Sequence, residues 1–275
     1  VTENIDVKTI KSFGDEWARF DQMTLPLAEA ERIFDEYFAI FPWNKLPPNA
    51  TGFDMGCGSG RWAKLMAPRV GHLHCIDPSS ALNVAKIALG SIPNVSFHSA
   101  TVDKNPLLEN SQDFGYSLGV LHHVPDTAAA IRSCVAKLKP GAPFQLYLYY
   151  AFDNRAWVFK LTWRAADLIR RVVCKLPSKF KNLVTDALAL LVYYPLARLS
   201  YWVEKMGVNV TSLPLSYYRS HGFYTMRTDS RDRFGTPLEH RFTRKEIEIM
   251  MEGAGLEDIR FSEAAPYWCA VGIKR

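Results

Sequence analysis

The chain has few cysteines, and none of them sit together. Cys57, Cys75, Cys134, Cys174 and Cys269 are odd in number, scattered, and form no C-x-x-C pair. This argues against a disulfide framework and a thiolate zinc site, so no metal is expected and the thiols read as reduced, in a cytoplasmic protein. Long apolar runs are scarce as well. The longest, Ala187 to Ala197, contains Pro195 and reads as too short to cross a hydrocarbon layer about 30 Å thick. Residues 1–11 alternate polar and apolar, with no apolar centre of signal-peptide length. No internal repeat or low-complexity tract is visible. Charge of one sign is also modest: a net +5 does not by itself point to nucleic acid.

What remains is an ordinary globular composition, 275 residues with 48% hydrophobic and 13% aromatic. That is enough chain for one large α/β domain with a sizeable insertion. Residues 8–41 carry apolar positions near a 3.6 period and read as helical, forming with their flanks an N-terminal segment, 1–50, that can act as a lid. From 51 to 150, short apolar runs alternate with helical patterns. Gly52–Met55, Leu73–Ile76, Val95–His98, Phe114–Leu118 and Phe144–Tyr150 read as strands, with helices starting near Arg61, Ser79 and Asp126. Such alternation builds right-handed β-α-β units and a mostly parallel, doubly wound sheet. Residues 151–240 break the rhythm and read as a helical cap inserted into the domain. Thr243-Arg-Lys-Glu246 is a capping box opening a last helix. Ile259–Ser262 and Trp268–Ile273 then complete the core over 241–275, the final strand antiparallel.

The strongest local pattern is Asp54-Met-Gly56-Cys57-Gly58-Ser-Gly60, directly after the first strand. Glycines at this spacing allow a tight turn and a close approach of backbone to ligand, and a helix start behind them offers free N–H groups to an anionic group. Asp77, followed by Pro78, ends the next strand, where a carboxylate can accept hydrogen bonds from ribose hydroxyls. The dinucleotide pattern G-x-G-x-x-G fails at Arg61 when read from Gly56, and reaches only Ala63 when read from Gly58. A P-loop would need G-K-[ST] where Gly60-Arg61-Trp62 stands.

The full pattern resembles the class I, Rossmann-like methyltransferases that use S-adenosylmethionine. Asn105 to Phe114 resembles that family's approach to the fourth strand. Leu118-Gly119-Val-Leu-His122-His123-Val-Pro-Asp126 resembles the turn after it in ubiquinone-type and related small-molecule members, and Leu138-Lys-Pro-Gly141 the bend before the fifth strand. The resemblance implies a cofactor site in which Asp54, Gly56, Cys57, Gly58 and Gly60 surround the methionine end of S-adenosyl-L-methionine. Asp77 and Pro78 would hold the ribose, and Leu118, Gly119 and His123 would line the site beyond it. Where many relatives carry Asp-Ala, this chain has Thr101-Val102, so the adenine contact falls to Thr101, Asp103 or the Val102 backbone. Trp17, in Phe13-Gly-Asp-Glu-Trp17-Ala-Arg-Phe20, resembles part of an opening helix folded over the cofactor.

For catalysis, the resemblance implies that His122 and His123, after the fourth strand, stand where substrate meets the methyl group, and histidine suits the base that a hydroxyl acceptor needs. Tyr150 is the tyrosine after the fifth strand expected near the pocket. Tyr217, Tyr218, Arg219, His221, Tyr224 and Arg227 form a polar aromatic cluster in the cap, expected to bind the acceptor. Between Arg155 and Asn182, eight basic residues face a single acid, Asp167. Val158, Leu161, Ala165, Leu168, Ile169 and Val172 mark an apolar helical face there, and Lys160, Arg164, Arg171 and Lys175 fall on another. That stretch is either a solvated helix face or a peripheral contact with a membrane. The expected reaction is methylation of a small molecule, first a hydroxyl of a sugar or glycan intermediate. A quinone, polyketide or lipid at a membrane surface is the alternative, and a non-catalytic cofactor-binding module a third reading. Leu118-Gly119-Val120-Leu121 is not the Asn/Asp-Pro-Pro-Tyr/Phe motif of nucleic-acid amino-methylating enzymes, so no nucleic-acid partner is expected.

Overall fold

The computed structural model describes residues 3–22, 24–155, 157–211 and 213–275. These divide into two compact units, one of residues 1–151 with 238–275 and one of residues 152–237.

The first unit is built on a seven-stranded sheet: β1 (Thr51–Met55), β2 (His72–Ile76), β3 (Val95–His98), β4 (Phe114–Leu118), β5 (Pro143–Tyr147), β6 (Leu256–Phe261) and β7 (Cys269–Lys274). The spatial order is β3-β2-β1-β4-β5-β7-β6. The first five strands are parallel, and β7 runs antiparallel to both of its neighbours. This is the expected doubly wound Rossmann-like sheet with an antiparallel final strand.

Two apolar layers cover it. Phe53, Ile131, Phe144 and Met251 belong to one core cluster; Phe34, Met66, Leu82 and Phe114 belong to the other. Glycine usually weakens a strand interior, yet β1 and β4 each carry one. The register explains this: Gly52 lies beside Phe114, and Phe53 beside Gly115. A Cβ on either glycine would sit 2.3 Å from the opposing ring, so each phenylalanine fills the room its neighbour's glycine leaves.

The helical reading of 8–41 is corrected to two helices, α1 (Val7–Arg19) and α2 (Leu27–Tyr37). Asp6 caps the first by accepting from the Thr9 N–H at 2.8 Å. Pro26, which has no N–H and fits a helix entry, stands at the N-cap of the second. The helix expected near Arg61 is a single turn, α3 (Ala63–Met66), because Pro68 directs the next residues into a 3₁₀ turn. Little helix dipole therefore stands behind the glycine loop. Next come α4 (Ala81–Leu89) and α5 (Thr127–Lys137), the latter capped by Asp126. The fifth strand stops at Tyr147, where its pairing with β7 ends, and Tyr150 makes only an isolated bridge to Phe242.

Between β2 and β3, three histidines meet. His74 Nδ1 lies 3.0 Å from His98 Nε2, and His72 Nε2 lies 2.9 Å from the Ser96 hydroxyl. Burial, then the charges of His72 and His98, pushes His74 down to about 4. The folded protein thus holds His74 neutral at a pH where the unfolded chain protonates it. The associated stability is complete above about pH 6.5 and is lost as pH falls toward 4. A melting series over that window should show the wild type losing several degrees more than His74→Gln. Parallel curves would mean that His74 does not sense pH.

The second unit contains α6 (Trp157–Val173), α7 (Ser178–Leu188), α8 (Tyr194–Lys205) and α9 (Phe223–Gly235). A π-helical turn, Ala189–Tyr193, joins α7 to α8 and makes one helix of 28 residues, Ser178–Lys205. Pro195 therefore does not interrupt the apolar run as the sequence reading held, because the widened turn absorbs the hydrogen bond proline cannot make. By length and composition alone this helix is long and apolar enough to cross a membrane. Its inner side packs with α9 and the end of α6 in a cluster of Val173, Tyr193, Ala197, Met226 and Phe234. The last helix of the chain, α10 (Arg244–Gly253), belongs to the first unit and opens on the capping box of Thr243 and Glu246.

Candidate active site

The glycine loop leaves β1 at its carboxyl end. Gly56 and Cys57 both donate to the Ile76 carbonyl, at 2.7 and 3.1 Å. Gly56, Gly58 and Gly60 have φ of +80°, +55° and +80°, a region other residues enter only with strain. Asp77 fastens the loop from the next strand. Its Oδ2 accepts the Gly58 N–H at 2.9 Å, and its Oδ1 accepts the Ser79 N–H and hydroxyl at 2.8 and 2.6 Å. Burial pushes the Asp77 carboxyl up, and these donors pull it back. Pro78 is exposed beside it. Asp54 is buried under the loop, accepts from the Tyr116 hydroxyl at 3.0 Å, and is pushed up to about 8, mainly by burial. An enclosed carboxyl of that kind gains by the arrival of a cation. Cys57 is a packing residue: its neighbour Cys75 and burial hold the thiol well above its ordinary range.

Helix α1 lies against this loop. A Cβ built on Gly58 would stand 3.2 Å from the Trp17 indole nitrogen, and one on Gly14 would stand 2.4 Å from the Ser80 hydroxyl. Beyond β3, Val102 is buried in the core while its carbonyl accepts from Asn105. Thr101 is half-buried, and Asp103 is exposed and accepts from the Asn4 N–H at 3.4 Å.

The second half of the site follows β4. Leu118 is buried, and Gly119, at φ +77°, donates to the Tyr147 carbonyl at 3.0 Å. Val120 joins the halves, because a Cβ on Gly56 would strike it at 2.3 Å. His123 Nδ1 lies 2.6 Å from the Leu238 carbonyl. A carbonyl only accepts, so Nδ1 carries the proton of this contact. His122 is fully buried, with no hydrogen bond at either ring nitrogen among the described residues. Burial, then the charges of His123, Arg241 and His240, holds it well below its ordinary range and therefore neutral. Its ring stacks on Tyr149, centroids 4.0 Å apart.

The expected tyrosine is corrected at this point. Tyr149 meets His122, whereas Tyr150 turns to Tyr267 and Trp268 on the other face, as strand alternation requires of neighbours. Several residues here were not anticipated. The His240 N–H donates to the His122 carbonyl and the Phe242 N–H to the Tyr149 carbonyl. Between them Arg241 pairs with Glu239 at 2.7 Å and lies 4.9 Å from the Tyr149 ring centre. Phe13 of α1 meets the His123 ring edge-on at 4.9 Å. No local motif marks 239–241; more than a hundred residues separate them from the histidines they touch.

The cap residues expected to bind the acceptor are occupied within the second unit. Arg219 pairs with Glu204 at 2.8 Å and donates to the Ser216 carbonyl, while Arg227 holds both oxygens of Asp186 at 3.2 and 3.1 Å. His221 is buried, its Nδ1 on the Tyr217 carbonyl, and the Tyr217 and Tyr218 rings pack against it and each other. Tyr224 is half-buried on α9, its carbonyl accepting from Thr228.

A glycine-cradled turn fastened by an acidic residue on the next strand, under a sheet with one antiparallel strand, defines a methyltransferase domain. Residues 53–145 match the family described as a methyltransferase domain. The ubiquinone biosynthesis O-methyltransferase of Hahella chejuensis is 31% identical over 163 residues, 56% of this chain and 64% of that protein. Its counterpart from Marinobacter nauticus is 39% identical over 93 residues, covering 32% of this chain and 39% of its own length. The chain thus spans less than two thirds of either relative. Human N-acetylserotonin methyltransferase, solved with S-adenosylmethionine, shares the fold at 14% identity and a TM-score of 0.51, over 88% of this chain and 51% of that one. Residues 53–145 thus match a methyltransferase domain, on a sheet of the class I, Rossmann-like kind.

Proposed function

We propose that this chain transfers a methyl group from S-adenosylmethionine to a hydroxyl oxygen of a small aromatic acceptor of the phenol or quinol kind. The observation that carries the reading is His123, its ring oriented by the Leu238 carbonyl at Nδ1, on the segment that Val120 joins to the glycine loop. The residues fit the cofactor. Gly58 leaves a cradle that a Cβ would fill, and the Ser59 hydroxyl inside the loop is buried with no hydrogen bond among the described residues. Asp54 offers a buried carboxyl to a cationic group, and Asp77 keeps an unused lone pair on Oδ2 for a ribose hydroxyl. Thr101, Val102 and Asp103 are left for the adenine, and Trp17 for the outer wall. When bound, the cofactor supplies an electrophilic methyl on a sulfonium and leaves as S-adenosylhomocysteine.

The protein's own part is alignment and proton removal. Orientation supplies most of such a rate, with effective molarities of roughly 10⁵–10⁸ M. His123 Nε2 takes the acceptor's hydroxyl proton as the oxygen attacks. Tyr149, His122 and Arg241 make an aromatic, cation-flanked wall beside it. Similarity to the ubiquinone biosynthesis O-methyltransferases favours a quinone-type acceptor. A sugar hydroxyl has lost its main support, because the cap's arginines are paired within their own unit.

His123→Ala should lower turnover at least about tenfold, a loss of roughly 1.4 kcal/mol, with S-adenosylhomocysteine affinity within about twofold. The deficit should shrink as pH rises and the acceptor ionises unaided. Initial rates on a panel of catechols, quinols and sugars, across pH, test both claims. A protein that binds S-adenosylhomocysteine but methylates none of them is a binding module, and the enzymatic reading fails.

A further inference from the structure

Eighteen of the twenty-three large apolar side chains exposed among the described residues belong to the second unit, which is less than a third of the chain. They are not scattered. On α6, Trp157, Leu161, Leu168 and Val172 recur at intervals of four or seven along one stripe, with Trp157 73% exposed. Lys160, Arg164 and Arg171 recur at the same intervals and border that stripe, and Lys175 follows in the turn after the helix. The stretch's one acid, Asp167, is turned inward onto Arg170 and Arg171. On the helix Ser178–Lys205, Thr185, Ala189, Tyr193 and Ala197 face inward, while Phe180, Leu183, Leu190, Leu191 and Trp202 are exposed, the last two at 71% and 64%. Singly exposed apolar residues need no explanation, but contiguous stripes do.

We infer that the outer faces of α6 and of the helix Ser178–Lys205 seat the protein on the surface of an anionic lipid bilayer. Apolar stripes edged by lysine and arginine match the boundary between acyl chains and acidic head groups. A second copy of the chain fits less well, because a two-fold contact would bring each row of cations toward its own image. The long helix lies on the bilayer and does not cross it. Its inner side carries Lys181 on the Gly235 carbonyl, Asn182 on Arg231, Asp186 on Arg227, and Arg198 on the Tyr218 and His221 carbonyls. Spanning would strip those partners away in hydrocarbon, where unsatisfied polar groups are most costly.

The inference deepens the reading above, since a protein held at a bilayer meets acceptors dissolved in it. Its test needs no turnover, so the two can fail separately. Full-length protein is sedimented with vesicles of phosphatidylglycerol and phosphatidylcholine in equal parts, and with vesicles of phosphatidylcholine alone. The wild type should partition onto the mixed vesicles and come off as salt is raised. Lys160→Gln with Arg164→Gln should weaken partition about fivefold for each charge removed. Leu191→Glu with Trp202→Glu, both at exposed positions, should abolish it, while the thermal shift with S-adenosylhomocysteine stays as in the wild type. Equal binding to both vesicle types, or none, overturns the inference. So does a dimer in sedimentation equilibrium that the Leu191→Glu, Trp202→Glu variant converts to monomer, because the face is then covered by a second copy.

Discussion

Gly58→Val should bind S-adenosylhomocysteine at least a hundredfold more weakly than the wild type, roughly 2.7 kcal/mol, while still melting cooperatively. Gly58 sits at φ +55°, where a β-branched residue is an outlier costing of order 1–3 kcal/mol. Its N–H is the donor that Asp77 fixes, so a shift in φ also turns that donor away. The nearest atom to a new Cβ is the Trp17 indole nitrogen at 3.2 Å, the edge of a half-buried side chain that can give by a few tenths of an ångström. The fold therefore survives, and the larger valine branches stand where ligand has to approach. Gly60→Val is the contrasting variant. Its Cβ would strike Leu89 at 2.7 Å in the core, so it should lower the melting temperature as well. Titration calorimetry beside thermal melting separates the two. Normal affinity in folded Gly58→Val would mean that the loop is not the cofactor cradle.

This loop was the most legible part of the site. Its chemistry is written in seven consecutive residues, and Asp77 falls where the end of the next strand must be. The capping box at Thr243 was legible for the same reason, being local. Tyr149, His240 and Arg241 were not, because what makes them site residues is contact with residues well outside any local motif, His122 for Tyr149 and His240, and Tyr149 for Arg241. The cap cluster was legible in another way. Its residue types were plain, but the partners they meet within their unit, such as Asp186 for Arg227, lie 41 positions away. A sequence shows that an arginine is present and does not show which carboxylate it pairs with. Pro195 misled through a local rule that a π turn overrides.

Asp77→Ala should weaken S-adenosylhomocysteine binding by roughly 1.5–3 kcal/mol, about ten- to a hundredfold, as expected for losing a charged acceptor. Two losses combine. The ribose loses the free lone pair on Oδ2, and the loop loses the acceptor for the Gly58 N–H and for both Ser79 donors. Asp77→Asn tells charge from shape. Its amide keeps the size but must aim an N–H₂ at Gly58 or at Ser79, where a donor already points. It should therefore fall closer to alanine than to the wild type. If the asparagine variant binds like the wild type, Asp77 acts only by filling space. If both variants bind normally, the ribose is held elsewhere.

The interlock of β1 and β4 bears on how such a chain can change over time. Gly52 and Phe114, and Phe53 and Gly115, divide a fixed volume between two strands 62 positions apart. A methyl group added on one side has room only if a ring recedes on the other. Each pair, one on either face of the sheet, is constrained as a unit: a step at one position has room once its opposite number has answered it, and the strand that ends in the glycine loop cannot drift alone.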